Sequence, residues 1–557
     1  MTGAGPEAAA ALTANHAEFA ALLATAGRHL EAGRLDASAA MAQVAAQHAW
    51  MNHAGRFASP ELEALLGRLA ARCASAPSAA ARREDPADVL HVVTQCYQTG
   101  GSTREIACWL EQDAGRRHRI CVTRQGSDVT PAFLSERLRD PADLIQLDAA
   151  RGGLMARAAT LRALAAGTDM VVLHVHPYDV VPLIAFTGVQ RPPVVLVNHA
   201  DHVFWLGAGI ADMVLHMRES GRRLAEARRG LAPERSAVMA RPLMPADRVL
   251  DRDEAKRRLG LDPATVVLAT AADASKYRPI GGDTFLDLVL PALLRHPEAV
   301  LLAAGPSDTG PWAEAAARTG GRVRALGRLS EVGLLHESAD VYLDSFPFSS
   351  LTSMLEAGSA GVPGITYRGH PVDCGVLGAD VPGVDPYISA PEDPEAYDAV
   401  LERAITDPAW RRAMGQETAE AIRATHTGDG WRGDIGAVYA RAALMAAVGP
   451  PVAGPAVFAA ERIDELVRDV MVQTGFAQGP DGVLVAHLGL LPLPQRAATA
   501  VALTRRGRRP TPRALVSEWV PPALADARRR VRERRVPRPS PAPPAAVLPE
   551  DGVGASR

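Results

Sequence analysis

Cysteine is scarce and unpatterned. The five cysteines (Cys73, Cys96, Cys108, Cys121, Cys374) form no CxxC pair and no recurring spacing. A cysteine zinc site and a disulfide framework are therefore not expected, and buried core thiols are. Aromatics are also few, at 4% of the 557 residues against 47% hydrophobic overall. The alphabet leans on Ala, Arg, Gly and Pro, as GC-rich coding produces, so alanine runs carry no signal. No uninterrupted apolar run is long enough to span a bilayer. The first 30 residues lack a basic start followed by an apolar block, so no signal peptide is expected and a cytoplasmic location is. The formal charge of −3 gives no overall bias towards nucleic acid or a membrane surface. Only the span from Arg505 to Arg538 is strongly basic, and it reads as a solvated helix face.

What is present is a change of texture along the chain. Residues 1–80 are helical in pattern, with Phe19, Leu22, Leu23 and Leu30, then Leu62, Leu65, Leu66 and Leu69, at helical spacing. Ser59 followed by Pro60 marks a helix start. A small, polar linker covers Ser75 to Pro86. Residues 86–245 alternate apolar runs with helical stretches, predicting strands at 89–94, 119–123, 144–148, 170–176, 193–199, 213–217 and 237–241. Residues 246–448 repeat the texture, with strands at 266–271, 299–305, 323–327, 340–344, 363–367 and 386–389 and helices such as 284–294 and 395–405. Short apolar runs separated by helices imply parallel sheets covered on both faces. Two such α/β, doubly wound halves place a cleft between them at strand C-terminal ends. Residues 449–536 read as a helical extension, with helices at 457–474, 495–505 and 512–535. Residues 537–557 are Pro-rich and expected to be disordered.

The most informative stretch is ADVYLDSFPFSSLTSMLEAGSAGVPGIT, Ala339 to Thr366. A buried strand leads into a Pro-broken, hydroxyl-rich loop (Ser349, Ser350), then a helix start at Thr352-Ser353. Free N–H groups and the positive dipole end there make an anion site. Glu356, one turn in, is placed to accept from a ribose diol. Ser275-Lys276-Tyr277-Arg278-Pro279 follows another strand of the same half, so Lys276 and Arg278 can neutralise a diphosphate.

In SKYRP and LDSFPFSSLTSMLEAGSAGVP the chain resembles the catalytic half of the O-GlcNAc transferase family and related bacterial cytoplasmic glycosyltransferases. These are GT-B fold, nucleotide-sugar-dependent and inverting. Lys276 and Pro279 match the family's K-x-x-P lysine, and Thr352-Ser353 its paired Thr–Thr. Glu356 matches its ribose acid, usually Asp, and Ala360 to Pro363 its A-G-x-P turn. The resemblance covers Val266 to Tyr367. The family histidine before the paired Thr is replaced by Leu351. Retaining GT-B enzymes with an E-x7-E motif also end this segment similarly, but their first acid would fall at Phe348. The resemblance implies two Rossmann-like domains facing a cleft, with a UDP-linked sugar as co-substrate and no resident cofactor or metal. The acceptor is a protein, a peptide or a small molecule. A retaining transferase, a nucleotide-sugar epimerase of the same fold and an inactive interaction scaffold are the alternatives.

In the first half, Gly100-Gly101-Ser102-Thr103 follows the first strand and opens a helix, a turn suited to facing the cleft. HVHPYD (His174, His176, Asp179), which resembles an HxHxP-type element of GT-B N-terminal domains, and NHADHVFW (His199, Asp201, His202) end two further strands. An inverting transferase needs a proton acceptor, and histidine titrates in the right range. His199 or His202 is the favoured base, with His176 a candidate and Asp201 orienting or replacing the histidine. Asp251-Arg252-Asp253 spells a DxD string but reads as a stabilised first helical turn.

Overall fold

The computed structural model describes residues 4–74, 82–98, 101–126, 128–150, 152–244, 248–329, 331–378, 380–445 and 458–515. Gly100 and the expected helix beyond Leu515, with the tail, lie outside them.

Among the described residues, the first lobe holds seven parallel strands: β1 (Asp88–Val93), β2 (Arg117–Val122), β3 (Leu144–Gln146), β4 (Met170–His174), β5 (Val194–Asn198), β6 (Met213–His216) and β7 (Ser236–Val238). Their order is β3-β2-β1-β4-β5-β6-β7. The second lobe holds β8 (Val266–Ala271), β9 (Ala299–Ala304), β10 (Val323–Gly327), β11 (Val341–Leu343) and β12 (Gly364–Ile365), in the order β10-β9-β8-β11-β12. Every pairing is parallel. The two doubly wound sheets form a GT-B architecture. Strand direction of winding reverses between β1 and β4 in one lobe and between β8 and β11 in the other. Ligands of such sheets bind outside the carboxyl ends at that reversal. The loops leaving β8 and β11 are the ones that carry Lys276 and Ser349.

Apolar strand runs form because both sheet faces are covered. Leu268, Leu301, Val341 and Leu343 pack on one side of the second sheet, and Val267, Ala269, Leu302 and Tyr342 on the other. The helix Phe285–Arg295 starts in a capping box between Thr284 and Asp287. Ser59 caps the Pro60–Ala70 helix, accepting from the Leu62 N–H at 3.2 Å. The N-terminal helices Pro6–Glu31, Leu35–Met51 and Pro60–Ala70 share the first lobe's core, where Phe19, Leu62 and Leu66 join Leu173, Leu183 and Leu196. Leu484 and Leu488 of the C-terminal extension join the same core.

Two placements differ from the sequence expectation. Residues 386–389 do not make a full strand: Asp385–Tyr387 is a 3₁₀ turn, and only Ser389 bridges Ile365. Pro386 removes a ladder donor there. The helix Gly428–Met445, within the expected second half, returns to the first lobe. Trp431, Ile435 and Tyr439 pack on Val89, Val172 and Val195. The Trp431 indole N–H donates to Ala240 O at 3.0 Å, and Trp109 donates to Tyr439 Oη at 3.1 Å. Each buried indole removes roughly 150–250 Å² from water, on the order of 5 kcal/mol of favourable transfer. This returning helix ties the lobes together.

Candidate functional site

Lys276 leaves β8 on the short turn Ala274–Tyr277. Its Nζ donates to Ser349 O at 2.7 Å and lies 4.7 Å from the centre of the Phe348 ring. The loops from β8 and β11 therefore meet at the reversal point. Burial pushes the Lys276 ammonium down to about 8, against the pull of Asp344. A buried cation tethered to one carbonyl keeps two donor hydrogens for another ligand.

The loop after β11 is held by Asp344, which accepts from the Ser350 N–H at 2.8 Å and from Thr366 Oγ1 at 3.0 Å. Ser349 N–H donates to Leu377 O at 3.0 Å. The helix Leu351–Ser359 begins at Ser350, which makes no side-chain capping bond. Thr352 Oγ1 accepts from the Arg241 guanidinium across the cleft. Ser353 Oγ lies 3.2 Å from His336 Nε2. Glu356 faces Arg104 of the first lobe at 3.6 Å, and burial raises its pKa against both Arg104 and Arg241. Gly361, at φ 75°, closes the helix through a bond to Gly358 O. Arg278 is placed otherwise than expected: its guanidinium donates to Gln473 O in the C-terminal extension, not into the cleft.

From the first lobe, the helix Gly101–Gln112 starts against this constellation. A Cβ on Gly101 would lie 3.7 Å from Thr352 Oγ1. Gly101 and Ser102 open that helix, and Thr103 Oγ1 caps the preceding loop by accepting from Tyr97 N–H at 3.0 Å. This turn borders the Thr352 helix. A cavity of about 710 Å³ is lined by Gly101, Arg104, Glu105, Arg241, Thr352 and Glu356, a size that suits a nucleotide.

The histidine clusters separate into distinct environments. His202 packs against Phe348, ring centres 4.7 Å apart, the same ring that Lys276 approaches. Its Nδ1 lies 3.4 Å from Asp201 Oδ1. Arg218 engages both Asp201 oxygens, at 2.8 and 2.9 Å. Burial alone would raise Asp201, but Arg218 and His202 outweigh it and hold the carboxyl below its ordinary range. So weak a base, with both oxygens occupied, orients His202 better than it could replace it. His176 Nδ1 lies 3.0 Å from Tyr178 Oη and its Nε2 3.4 Å from Tyr97 Oη, and burial lowers it to about 4. His199 points its Nε2 at His174 Nδ1, 3.1 Å away, and its Nδ1 at Glu105 Oε2, 3.8 Å away. Asp179 is structural, accepting from Thr94 at 2.7 Å and from Val181 N–H at 3.0 Å.

Glu105, His174 and His199 set donor atoms within 4.8 Å of one another. Both ring nitrogens of His174 are already bonded to imidazoles, and Arg241 lies 3.8 Å from Glu105 Oε2. That leaves His174 no nitrogen for a metal ion and sets a guanidinium beside the carboxylate.

Arg241, Arg104 and Glu105 are site residues that sequence reasoning missed. Arg241 carried one available signal, since it closes the predicted strand at 237–241 and so stands at a strand's carboxyl end.

No family model and no curated protein matches the chain. Among solved structures, it is similar to Anabaena HepE in complex with UDP and glucose, at 15% identity over 61% of this chain and 95% of that one, TM-score 0.45. It is similar to an O-GlcNAc transferase of Thermobaculum terrenum, at 16% identity over 73% and 79%, TM-score 0.45. It is also similar to the UDP-GlcNAc 2-epimerase of Neisseria meningitidis bound to UDP-GlcNAc, at 13% identity over 62% and 98%, TM-score 0.39.

Proposed function

We propose that the protein is a glycosyltransferase that moves a sugar from a UDP-linked donor to an acceptor hydroxyl with inversion and without a metal. The observation that carries this is the 2.7 Å bond from Lys276 to Ser349 O, which joins the two loops at the reversal point of the second sheet. Lys276 and the amide tip of the Leu351–Ser359 helix, with Arg241 beside it, would hold the diphosphate and stabilise it as it departs. These cations do the work a divalent ion does elsewhere. Glu356 would accept from the ribose hydroxyls, and Arg104 keeps its carboxylate oriented. The acceptor, a protein, a peptide or a small molecule, would approach from the first lobe beside His199 and His202, one of which takes the hydroxyl proton.

Thermal-shift titration with UDP, UDP-GlcNAc, UDP-glucose and GDP-sugars tests the donor. Stabilisation by a uridine nucleotide is expected, and no response to any nucleotide favours an inactive scaffold instead. Incubation with UDP-sugar alone separates the epimerase alternative, which would release altered sugar without an acceptor. The anomeric proton signal of the product decides between inversion and retention.

A further inference from the structure

Four histidines form one hydrogen-bonded file through the buried first sheet. His118 lies on β2, His91 on β1 and His174 on β4, and His199 just follows β5. Strand register produces the alignment. His118 pairs with Val89 and His91 with Val172, so each next histidine stands two residues further on, on the same sheet face. His199 continues the stagger, three beyond Leu196, the partner of Leu173. The file thus climbs diagonally towards the carboxyl ends of the strands and the cleft. Its links are His118 Nδ1 to His91 Nε2 at 3.0 Å, His91 Nδ1 to His174 Nε2 at 3.1 Å and His174 Nδ1 to His199 Nε2 at 3.1 Å. Trp109 stands edge-on against His91 and His174 and shields the middle of the file.

The far end sets the direction of every bond. His118 Nε2 lies 2.8 Å from the backbone carbonyl of Asp113. A carbonyl can only accept, so His118 carries its proton on Nε2 and leaves Nδ1 bare. His91 must then donate from Nε2 and accept at Nδ1, and so must His174. His199 donates from Nε2 in turn. Its Nδ1 is the bare end, 3.8 Å from Glu105 Oε2, and neither Glu105 oxygen has a hydrogen-bond partner among the described residues. The reverse polarity would set a bare Nε2 only 2.8 Å from the Asp113 carbonyl oxygen, acceptor against acceptor within hydrogen-bond distance, at a cost of about 1–3 kcal/mol. Burial lowers each of the four rings below its ordinary value, most strongly His91 and His174.

We propose that His118, His91 and His174 are positioning residues that lock His199 in the Nε2–H tautomer, presenting its bare Nδ1 as the proton acceptor of the transfer, with Glu105 as the counter-charge for the imidazolium that forms. His199's part rests on the glycosyl transfer proposed above. In that step the acceptor oxygen bonds the anomeric carbon and its proton passes to His199 Nδ1. The anomeric carbon–oxygen bond breaks, and its electron pair leaves with the nucleoside diphosphate. A wrong-tautomer base is a poor base even when it stands in the right place.

Neutron diffraction on deuterium-exchanged crystals of the full chain reads the lock without any substrate. Deuterons on Nε2 of all four rings, and none on Nδ1 of His199, are expected. A deuteron on Nδ1 of His118, His91 or His174 overturns the lock. Failure of every UDP-sugar to bind would instead overturn the transferase role and leave this readout intact. Kinetics supply the second arm. His118→Phe keeps the bulk but removes both nitrogens, and kcat should fall at least about tenfold with the UDP-sugar dissociation constant unchanged. His118→Gln can donate to the Asp113 carbonyl through its amide nitrogen and accept from His91 through its oxygen, so it should restore most of the lost turnover. Equal kcat in wild type and His118→Phe, or equal losses in both variants, would assign His118 to packing alone.

Discussion

The lowered Lys276 ammonium makes donor binding pH-dependent in a way that can be worked out in advance. Nζ is buried against Phe348 and the Ser349 carbonyl, with Asp344 and Asp273 as opposite charges and Arg218 and Arg241 as like charges nearby. In the free protein it loses its proton near pH 8. A diphosphate seated on it would keep it protonated, so binding above pH 8 takes up a proton. The dissociation constant of a UDP-sugar should be flat below pH 8 and then rise. The limiting slope is about tenfold, or 1.4 kcal/mol, per pH unit. The unliganded protein should move oppositely. Between pH 8 and the ordinary lysine range the unfolded chain binds more protons at this site than the folded one, so the site's contribution to stability rises with pH. Calorimetric titration from pH 7 to 9, beside thermal melts without ligand, reads both. Lys276→Ala should abolish the slope and lower turnover at least about tenfold, within the loss expected for one charge-stabilising donor. A flat dissociation constant across that range, or unchanged turnover in a folded Lys276→Ala protein, refutes the assignment.

Glu356→Ala should remove the preference for UDP over 2′-deoxy-UDP, measured by competition binding, because the carboxylate is the proposed ribose acceptor. Asp201→Asn removes the two-point partner of the buried Arg218, leaving only the more distant Asp380 and Asp344 charges, and should cost about 3–5 kcal/mol in urea unfolding. Asp201 is also held below its ordinary range in the folded protein, so its contribution is present at neutral pH and is lost as pH falls through its folded pKa. Gly305→Ala should be strongly destabilising in thermal melts: Gly305 has φ 114°, and a Cβ there would sit 1.7 Å from Ala272 O, in the loop that leads to Lys276.

Much of the second lobe was legible because its chemistry is local. The strands at 266–271 and 299–304 are runs apolar but for Thr270, and Lys276, Ser349, Thr352 and Glu356 lie in two short segments that the sheet order brings to one reversal point. The histidine file was not legible. His91 and His118 look like solitary core residues until the register of β1 with β2 and β4 staggers them by two. Arg241 and Arg104 reach the site from the other lobe, and no spacing along the chain reports such an approach. Arg278 misled for the opposite reason: it shares a loop with Lys276, but the C-terminal extension supplies Gln473 O as a nearer partner. The helix Gly428–Met445 reads like its neighbours, and only its packing against β5 and β6, with Trp431 and Tyr439 in the first lobe's core, reveals that it belongs with the first sheet.

A crystal structure of the protein soaked with UDP tests the central claim most directly. The account predicts the diphosphate within hydrogen-bond reach of Lys276 Nζ and the first amides of the Leu351–Ser359 helix, with the ribose against Glu356. UDP bound anywhere else, or Lys276 turned away from an occupied cleft, would contradict it.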